Sequence, residues 1–321
     1  MPGIRIVIVT PAPPGSRSGN RNTAVRWARI LRHLGHRAAI ATAWQGEPCD
    51  LAVVLHARRG HESALALRRS DPGRPLILAL TGTDLYRDIR SSPQARQTLE
   101  LADRFIVLQE EGPHELAPGL RSRARVIYQS EVAHYAWQPP RQFVRFCVLG
   151  HLREEKDPFR AAFALGLLPD LPALRVVQAG GVLAADMADQ ARAIEAREPR
   201  YRWVGELPHW RALRLMAGSH AMVISSRLEG GAHVVSEAIA QGVPVIASAI
   251  PGNRGMLGAD YPGYYAVEDA GALAALMRRA AGDARYLAAL REHVIRRRPL
   301  IEPERELECW RALLAELGIQ T

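Results

Sequence analysis

The sequence predicts an α/β protein built from two doubly wound parallel sheets. Short β-branched and aliphatic runs alternate with longer amphipathic segments, which is the pattern of repeated strand–helix units around a parallel sheet. The chain has 321 residues, more than the roughly 250 to 300 at which a single core stops growing. We therefore expect two domains, each with its own sheet.

Candidate strands occur in two series, one in each half of the chain. Those of the first half are Ile4–Thr10, Arg37–Thr42, Leu51–Leu55, Leu76–Leu80, Arg104–Leu108 and Arg125–Tyr128. Those of the second half are Val144–Leu149, Leu174–Gln178, Tyr201–Val204, Ala221–Ser225, Val243–Ala247 and Tyr264–Val267. Helical patterns fall between the strands, so the strands of each half should run parallel.

Proline residues mark the predicted domain boundaries. The pair Pro139-Pro140 suits an extended connector and no regular element. We therefore expect an N-terminal domain over residues 1–138 and a C-terminal domain over residues 142–300. The segment Pro299–Pro303 interrupts the chain again before a last amphipathic helix at residues 304–317. We expect this helix to pack back on the N-terminal domain.

The composition is that of a soluble globular protein, with 48% apolar and 23% charged residues. The net charge of +9 favours anionic partners, which include nucleic acid, a membrane surface and phosphorylated small molecules. Basic residues are spread along the chain and aromatic residues make up only 6%, so we expect no nucleic-acid binding. No apolar run reaches the roughly 20 residues of a membrane span, so we expect a cytoplasmic protein without stable membrane association.

Cysteine and histidine spacing predicts neither disulfides nor a metal site. Cys49, Cys147 and Cys309 are far apart in the sequence and form no CxxC pattern. No cluster of histidines has metal-ligand spacing, and we expect His56 and His209 to be structural. The sequence therefore predicts no metal and no cofactor.

Two glutamates flank a glycine pair in the second half of the chain. Glu229-Gly-Gly follows a candidate strand, and Ala232–Gln241 is typical of a helix that ends at Gly242. Glycine lets the backbone approach a ligand closely, and the free N–H groups of a helix N-terminus bind anions. Glu237 lies inside this helix, so the two carboxylates can bind hydroxyls on either side of a diphosphate, as in a nucleoside diphosphate sugar. The alternative is a capped helix with two surface glutamates.

The segment Ala221–Gly255 resembles the E-x7-E region of the retaining GT-B glycosyltransferases, particularly those of family 4. The spacing from Glu229 to Glu237 fits that motif, and so does the following Ala-Ile-Ala-Gln-Gly-Val-Pro-Val-Ile-Ala-Ser. The resemblance implies a GT-B fold, in which two Rossmann-like domains face a central cleft. It also implies that Glu237 binds the ribose and that Glu229 meets the donor sugar. Backbone amides that face the diphosphate and the sugar are implied at Gly230, Gly231, Ala232, His233 and Val234.

A second segment resembles the part of this family that neutralises the leaving diphosphate. The stretch from Gly150 to Lys156 resembles the family's Gly-Arg-Leu-x-x-x-Lys, with Lys156 on the family lysine. Lys156 is also the only lysine among 42 basic residues, which indicates a position that needs a compact ammonium. His151 stands in place of the family arginine, and Arg153 is the candidate to supply the second cation. The expected catalytic residues are therefore Lys156, Arg153 and Glu229, with further donor contacts at Gly150 and Gly205.

A Gly-rich turn of the N-terminal domain is expected over the donor phosphates and the acceptor. It joins the first strand to a helix that begins near Ala24. The resemblance implies donor contacts at Gly15, Gly19 and Asn20. Arg17 and Arg21 can hold an anionic acceptor through charge-assisted hydrogen bonds. The alternative is that both arginines are solvated loop residues.

The segment Leu80–Asp88 resembles the family's His-Gly-Thr-Asp loop. Thr81 occupies the position of the usual histidine. The acceptor contacts that the resemblance implies in this loop are Thr83 and Asp84. The missing histidine indicates an acceptor that differs from the common hydroxyl of a sugar or a lipid.

Three stretches together resemble the selenosugar synthases of selenoneine biosynthesis. They are Gly19–Ala28, Leu80–Ile89 and Gly150–Pro158. The resemblance implies transfer of N-acetylglucosamine from UDP-GlcNAc to selenophosphate, with formation of a C–Se bond and a selenosugar. Selenophosphate is already an anion with a polarizable nucleophilic atom, so no general base must deprotonate it. The cations that would hold the two anionic substrates together without a metal are Arg17, Arg21, Arg153 and Lys156.

Two other functions stay open on the sequence. A GT-B glycosyltransferase that acts on a hydroxyl acceptor of a lipid, a polysaccharide or a small molecule would share the donor contacts. A non-catalytic nucleotide-sugar-binding protein would keep Glu237 and Lys156 but release no UDP.

Overall fold

The computed structural model describes residues 3–16, 18–184 and 186–320. The chain forms two units, Met1–Ser130 with Pro303–Thr321 and Glu131–Glu302. The division lies at Ser130, before the Pro139-Pro140 pair. The N–H of Glu131 donates to the Ile301 carbonyl and the N–H of Gln138 donates to the Ala217 carbonyl, both at 2.9 Å, and both carbonyls belong to the second unit. Residues 131–138, expected in the N-terminal domain, therefore pack with the second unit.

Six parallel strands form the sheet of the first unit. They are β1 (Arg5–Val9), β2 (Arg37–Ala41), β3 (Leu51–Leu55), β4 (Leu76–Leu80), β5 (Arg104–Val107) and β6 (Ala124–Val126). Their order across the sheet is β2-β1-β3-β4-β5-β6. The side chains of β3 point alternately into two apolar cores, one on each face of the sheet, so the whole strand is aliphatic.

Six further parallel strands form the sheet of the second unit. They are β7 (Val144–Leu149), β8 (Leu174–Ala179), β9 (Tyr201–Trp203), β10 (Ala221–Ile224), β11 (Val245–Ser248) and β12 (Tyr264–Tyr265). Their order is β12-β11-β10-β7-β8-β9. All twelve expected strands are present with slightly different ends, and the predicted fold class is confirmed. The chain runs from β7 to β8 and β9 on one side of β7 and then crosses to β10 on the other side. Strands β7 and β10 therefore form the switch point at which open α/β sheets bind ligands.

Helices connect the strands in both units. They are α1 (Gly19–His33), α2 (His61–Ser70), α3 (Ile89–Ser91), α4 (Pro93–Leu101), α5 (Arg160–Gly166), α6 (Met187–Arg197), α7 (His209–Ala217), α8 (His233–Gln241), α9 (Pro251–Leu257), α10 (Ala270–Gly282), α11 (Ala284–Arg296) and α12 (Pro303–Glu316). Short 3₁₀ helices occupy Gly112–Glu115, Pro118–Arg123, Glu154–Lys156 and Arg298–Ile301, and a π-helical turn occupies Asp84–Asp88. Among the described residues, no helix combines the length and the apolar composition needed to cross a membrane.

Helix α12 packs into the core of the first unit. The ring of Trp310 meets that of Trp27 edge to face, with 5.2 Å between their centroids, and both side chains are fully buried. Glu306 is buried beside them and accepts hydrogen bonds from Trp27 Nε1 at 3.2 Å and from the Ser130 N–H at 2.9 Å. The Ser130 hydroxyl and the Arg26 guanidinium donate to the same carboxylate. The charge is therefore buried with its hydrogen bonds made.

Replacing Trp310 with alanine should lower the free energy of unfolding by roughly 3 to 5 kcal/mol, because the substitution leaves a cavity in a closed core. Urea denaturation followed by far-UV circular dichroism measures the change. Trp210 is half exposed, so Trp210→Ala serves as the matched control with an expected loss below about 1 kcal/mol. Equal losses in the two variants would contradict the packing of α12.

Candidate functional site

The loop between β10 and α8 carries both glutamates of the predicted motif. Glu229 lies in the loop and Glu237 lies in the second turn of α8, and both residues are only 8% exposed. Ala232 is the N-cap residue of α8, and its side chain forms no capping hydrogen bond. An uncapped N-terminus can bind an anion through its first amides. Gly242 ends the helix in a left-handed conformation with φ of 67°, as the sequence predicts.

Lys156 and Glu229, two of the predicted catalytic residues, are in direct contact. Lys156 Nζ forms an ion pair with Glu229 Oε1, and Ser226 Oγ donates to the same oxygen at 2.5 Å. Lys156 ends the 3₁₀ helix after β7, and its carbonyl accepts from Ser225 Oγ at 3.1 Å. A Cβ atom at Gly252 would lie 2.0 Å from the Glu229 carbonyl oxygen, so only glycine fits there. The loop that holds Glu229 is therefore anchored on both sides.

Two further basic side chains lie in the loop after β7. Within the described ranges, neither Arg153 nor His151 forms an ion pair, and Arg153 Nε and His151 Nδ1 are buried without a hydrogen-bond partner. A buried polar nitrogen of this kind costs roughly 1 to 3 kcal/mol. A ligand that bonded to either side chain would remove that cost. The two residues are therefore suited to bind an anion or a hydroxyl beside Lys156.

Gly150 and Gly205, both predicted donor contacts, meet at a third glycine. The N–H of Gly180 donates to the Gly205 carbonyl at 2.8 Å. A Cβ atom at position 180 would lie 1.8 Å from the Gly150 carbonyl oxygen. The loops after β7, β8 and β9 thus approach each other at distances that only glycine permits. Because these glycines have no side chains, main-chain groups of the three loops lie at this edge of the sheet.

Glu237 belongs to an alternating series of histidines and glutamates, which we call the His–Glu chain. Its members in order of contact are His134, Glu131, His233, Glu237 and His209. Glu237 Oε1 lies 2.7 Å from His209 Nε2 and 3.9 Å from His233 Nε2. Glu131 lies 3.0 Å from His233 Nε2 and 3.4 Å from His134 Nε2. The hydrogen bond to Glu237 raises the pKa of His209, although burial acts in the opposite direction.

Three members of the His–Glu chain were missed by sequence reasoning. His209 begins α7, whereas Glu131 and His134 lie in the segment that precedes β7. Helix α7 packs against α8, which carries Glu237, but no local spacing in the sequence predicts that contact. The one available signal was the position of His209 shortly after the end of a parallel strand, where ligand contacts concentrate. Glu131, His233 and Glu237 have ligand atoms within 4.8 Å of one another, which is close enough for a metal ion.

In the first unit, Thr83 lies beside a buried histidine. His56 Nε2 is 3.1 Å from Thr83 Oγ1 and 3.8 Å from Asp88 Oδ2. His56 has φ of 75°, a left-handed conformation that strains a residue with a side chain and is common at functional sites. Burial lowers the pKa of His56, which favours the neutral form of the imidazole. From the sequence we expect His56 to be structural, and in the structure it contacts the neighbouring loop that carries Thr83.

Asp84 organises that same loop. Its Oδ1 accepts from the N–H groups of Thr81 at 3.0 Å and Gly82 at 2.9 Å, and its Oδ2 accepts from that of Ala57 at 3.0 Å. The residue is fully buried. The carboxylate therefore ties the loop after β4 to the loop after β3 and has no surface through which to contact a ligand. The expectation that Asp84 contacts the acceptor directly is therefore corrected, because both of its carboxylate oxygens accept hydrogen bonds from main-chain N–H groups.

The predicted Gly-rich turn lies at the start of α1. Gly15 has φ of 81°, and Gly19, Asn20 and Arg21 form the first turn of the helix. Ser18 caps this turn by accepting from the Arg21 N–H at 3.4 Å. The Arg21 guanidinium forms no ion pair with any described residue, so its charge is available to an anion. Arg17 lies outside the described residues.

Comparison with known proteins shows the family of the chain. Residues 133–297, just over half of the chain, match the family described as glycosyl transferases group 1. The match includes Lys156, Glu229 and Glu237.

Solved structures share the fold over nearly the whole chain. HepE of Anabaena, solved with UDP-glucose, has a TM-score of 0.75 and 14% identity and covers 98% of this chain and 99% of its own. Sucrose-phosphate synthase from Thermosynechococcus elongatus has a TM-score of 0.77 and 15% identity and covers 98% of each chain. The pneumococcal O-GlcNAc transferase GtfA, solved with UDP and GlcNAc, has a TM-score of 0.66 and 16% identity, with coverage of 84% of this chain and 57% of its own. Identities this low establish the fold alone, and the family match adds the assignment: this chain belongs to the group 1 glycosyltransferases and has the GT-B fold.

Proposed function

We propose that this glycosyltransferase takes a UDP-sugar as its donor and binds it in the second unit. The observation that carries the proposal is the ion pair between the only lysine and Glu229 beside the uncapped N-terminus of α8. This arrangement offers a cation and main-chain amides to a diphosphate and a carboxylate to the hydroxyls of a sugar. HepE, solved with UDP-glucose, supports the choice of nucleotide.

Each charged residue of the site has a separate role in this proposal. Glu237 accepts hydrogen bonds from the ribose hydroxyls, and His209 holds its carboxylate in place at 2.7 Å. Lys156 and Arg153 neutralise the charge that develops on the leaving UDP, which lowers the barrier to breaking the bond between the anomeric carbon and the phosphate oxygen. Glu229 binds hydroxyls of the donor sugar. The reaction proposed here needs no divalent metal, since these cations take its place.

We further propose that the acceptor is selenophosphate and that the transferred sugar is N-acetylglucosamine. Selenium attacks the anomeric carbon, and a C–Se bond forms as the C–O bond to UDP breaks. Hydrolysis of the Se–P bond then releases inorganic phosphate and leaves the selenosugar as its selenol. The support is the resemblance of Gly19–Ala28, Leu80–Ile89 and Gly150–Pro158 to selenosugar synthases. An anionic acceptor also suits Arg21, whose guanidinium has no ion pair within the described ranges. Asp84 contributes by positioning the loop that presents Thr83.

The buried histidine of the first unit favours a second candidate function, transfer to a hydroxyl acceptor. A hydroxyl must lose its proton to become a good nucleophile, and a neutral imidazole near a carboxylate is a suitable base. Burial lowers the pKa of His56, and its Nε2 lies 3.8 Å from Asp88 Oδ2. The side chain is buried and Nδ1 accepts from the Arg59 N–H at 3.3 Å, so this second function requires Nε2 to give up its proton and its contact with Thr83 before it can act as the base. Selenophosphate needs no such base, so the two functions differ in their dependence on His56.

We expect UDP and a selenium-containing sugar to form when the protein is incubated with UDP-GlcNAc and selenophosphate, as measured by mass spectrometry. Inorganic phosphate and a panel of sugar alcohols serve as alternative acceptors, and UDP-glucose serves as an alternative donor. The variant His56→Gln should keep selenosugar formation but lose transfer to a hydroxyl. Release of UDP with hydroxyl acceptors alone would contradict the selenium proposal, and donor binding without any UDP release would indicate a non-catalytic binding protein.

The variant Lys156→Ala should lower kcat by about 100-fold or more, because the leaving diphosphate loses its main counter-charge. Lys156→Arg should recover part of the activity, since it restores the charge but not the compact shape of the ammonium. Steady-state UDP release gives the rates.

Two controls separate chemistry from folding in the lysine variants. Thermal unfolding reports whether Glu229, left buried without its partner, destabilises the second unit. Reductive methylation of the native protein modifies no other side-chain amine, because the chain has a single lysine. A bound UDP-sugar should protect Lys156 from the reagent. Unprotected modification, or full activity of Lys156→Ala, would remove the diphosphate role of this residue.

The variant Glu237→Gln should raise the KM for the donor by about ten- to a hundredfold, which corresponds to the loss of a hydrogen bond to a charged acceptor. The KM for the acceptor should change little. Glu292→Gln, on the exposed face of α11, is the matched control and should leave both constants unchanged. A similar loss for donor and acceptor would argue against ribose binding by Glu237.

A further inference from the structure

Three ligand atoms of the His–Glu chain lie close enough together to hold a metal ion, and a fourth lies beside one of them. Glu131, His233 and Glu237 contribute atoms that all lie within 4.8 Å of one another, and His209 Nε2 lies 2.7 Å from the nearest Glu237 oxygen. Tetrahedral zinc with ligands at about 2.0 Å places its ligand atoms about 3.3 Å apart. The contacts at 2.7, 3.0 and 3.9 Å along the chain bracket that spacing. His209 Nε2 lies outside the group of three, and its side chain must rotate toward that group to become a fourth ligand.

Separate elements of the second unit hold these four side chains in place. His233 and Glu237 are one helical turn apart and therefore lie on the same face of α8. His209 begins α7, and Glu131 is anchored by its main-chain hydrogen bond to Ile301 at 2.9 Å. Ligands on regular or anchored segments limit the rearrangement that binding of the ion requires.

The identity of the ligands favours zinc over magnesium or calcium. Two imidazoles and two carboxylates suit a borderline-soft cation, whereas magnesium and calcium prefer oxygen ligands alone. His134 lies 3.4 Å from the second oxygen of Glu131 and can orient that carboxylate from outside the site.

We propose that Glu131, His209, His233 and Glu237 bind a zinc ion, and that this ion excludes the UDP-sugar donor. The exclusion rests on the proposed function, because it follows from the use of the same Glu237 carboxylate by the ion and by the ribose. The ion takes no part in sugar transfer and acts as an inhibitor.

Isothermal titration of the full chain with zinc chloride tests the site without any donor. We expect one ion per chain, and binding at least about tenfold weaker in His209→Ala and in His233→Ala. His114 is an exposed histidine 3.1 Å from Glu111, so His114→Ala is a matched control that should bind zinc as the native chain does. His209→Gln provides a second variant at a mostly exposed position, where the fold is not at risk. Undiminished binding in the His209 or His233 variants, or equal binding of magnesium, would overturn the site.

A competition titration separates this proposal from the proposed function. Uridine carries the ribose but lacks the diphosphate, which would itself chelate zinc, so it is the suitable competitor. We expect saturating uridine to weaken zinc binding at least about tenfold, the same loss as removal of a ligand. If zinc binding depends on the histidines but uridine does not compete with it, the exclusion of the donor and the ribose role of Glu237 are both overturned, and the zinc site is kept. Absence of zinc binding, with the donor KM still raised in Glu237→Gln, would overturn the site and keep the proposed function.

Discussion

The candidate site depends on the ion pair between Lys156 and Glu229, which ties two loops at the centre of the second sheet. One loop follows β7 and the other follows β10, and these neighbouring strands form the switch point of the sheet. Both side chains are largely buried, so each charge requires the other in the absence of a ligand. The pair thereby places an ammonium beside the N-terminus of α8. A ligand that replaces either partner must supply an equivalent charge or hydrogen bonds.

Three buried glutamates show how the same side chain serves stability or function. Glu306 accepts from an indole, a main-chain amide, a hydroxyl and a guanidinium, and it lies in an apolar core. Glu229 and Glu237 instead pair with a lysine and with a mostly exposed histidine at the carboxyl ends of strands. The Glu306 carboxylate makes all of these hydrogen bonds to groups inside the protein. The other two keep partners that a ligand can exchange, and this difference separates the structural residue from the candidate site.

Local sequence patterns were sufficient to predict the strands and the main motif. Aliphatic runs such as Leu51–Leu55 and Leu76–Leu80 predict buried parallel strands, because both faces of such strands are covered. Gly242 predicts the end of α8 because its left-handed conformation suits glycine best. The positions of Glu229 and Glu237 on one loop and one helix follow from their spacing. The single use of lysine at position 156 was visible in the composition alone.

By itself, then, the sequence determined the secondary structure, the two-sheet architecture and the residues of the glutamate motif, since these depend on neighbours along the chain. Tertiary structure decided which distant residues join them. His209 reaches Glu237 because α7 packs against α8, and Asp84 is occupied by main-chain amides because two loops of the first sheet meet. The unit boundary at Ser130 likewise follows from the hydrogen bond of Glu131 to Ile301. Such contacts join segments far apart in the chain, and no local period or spacing encodes them.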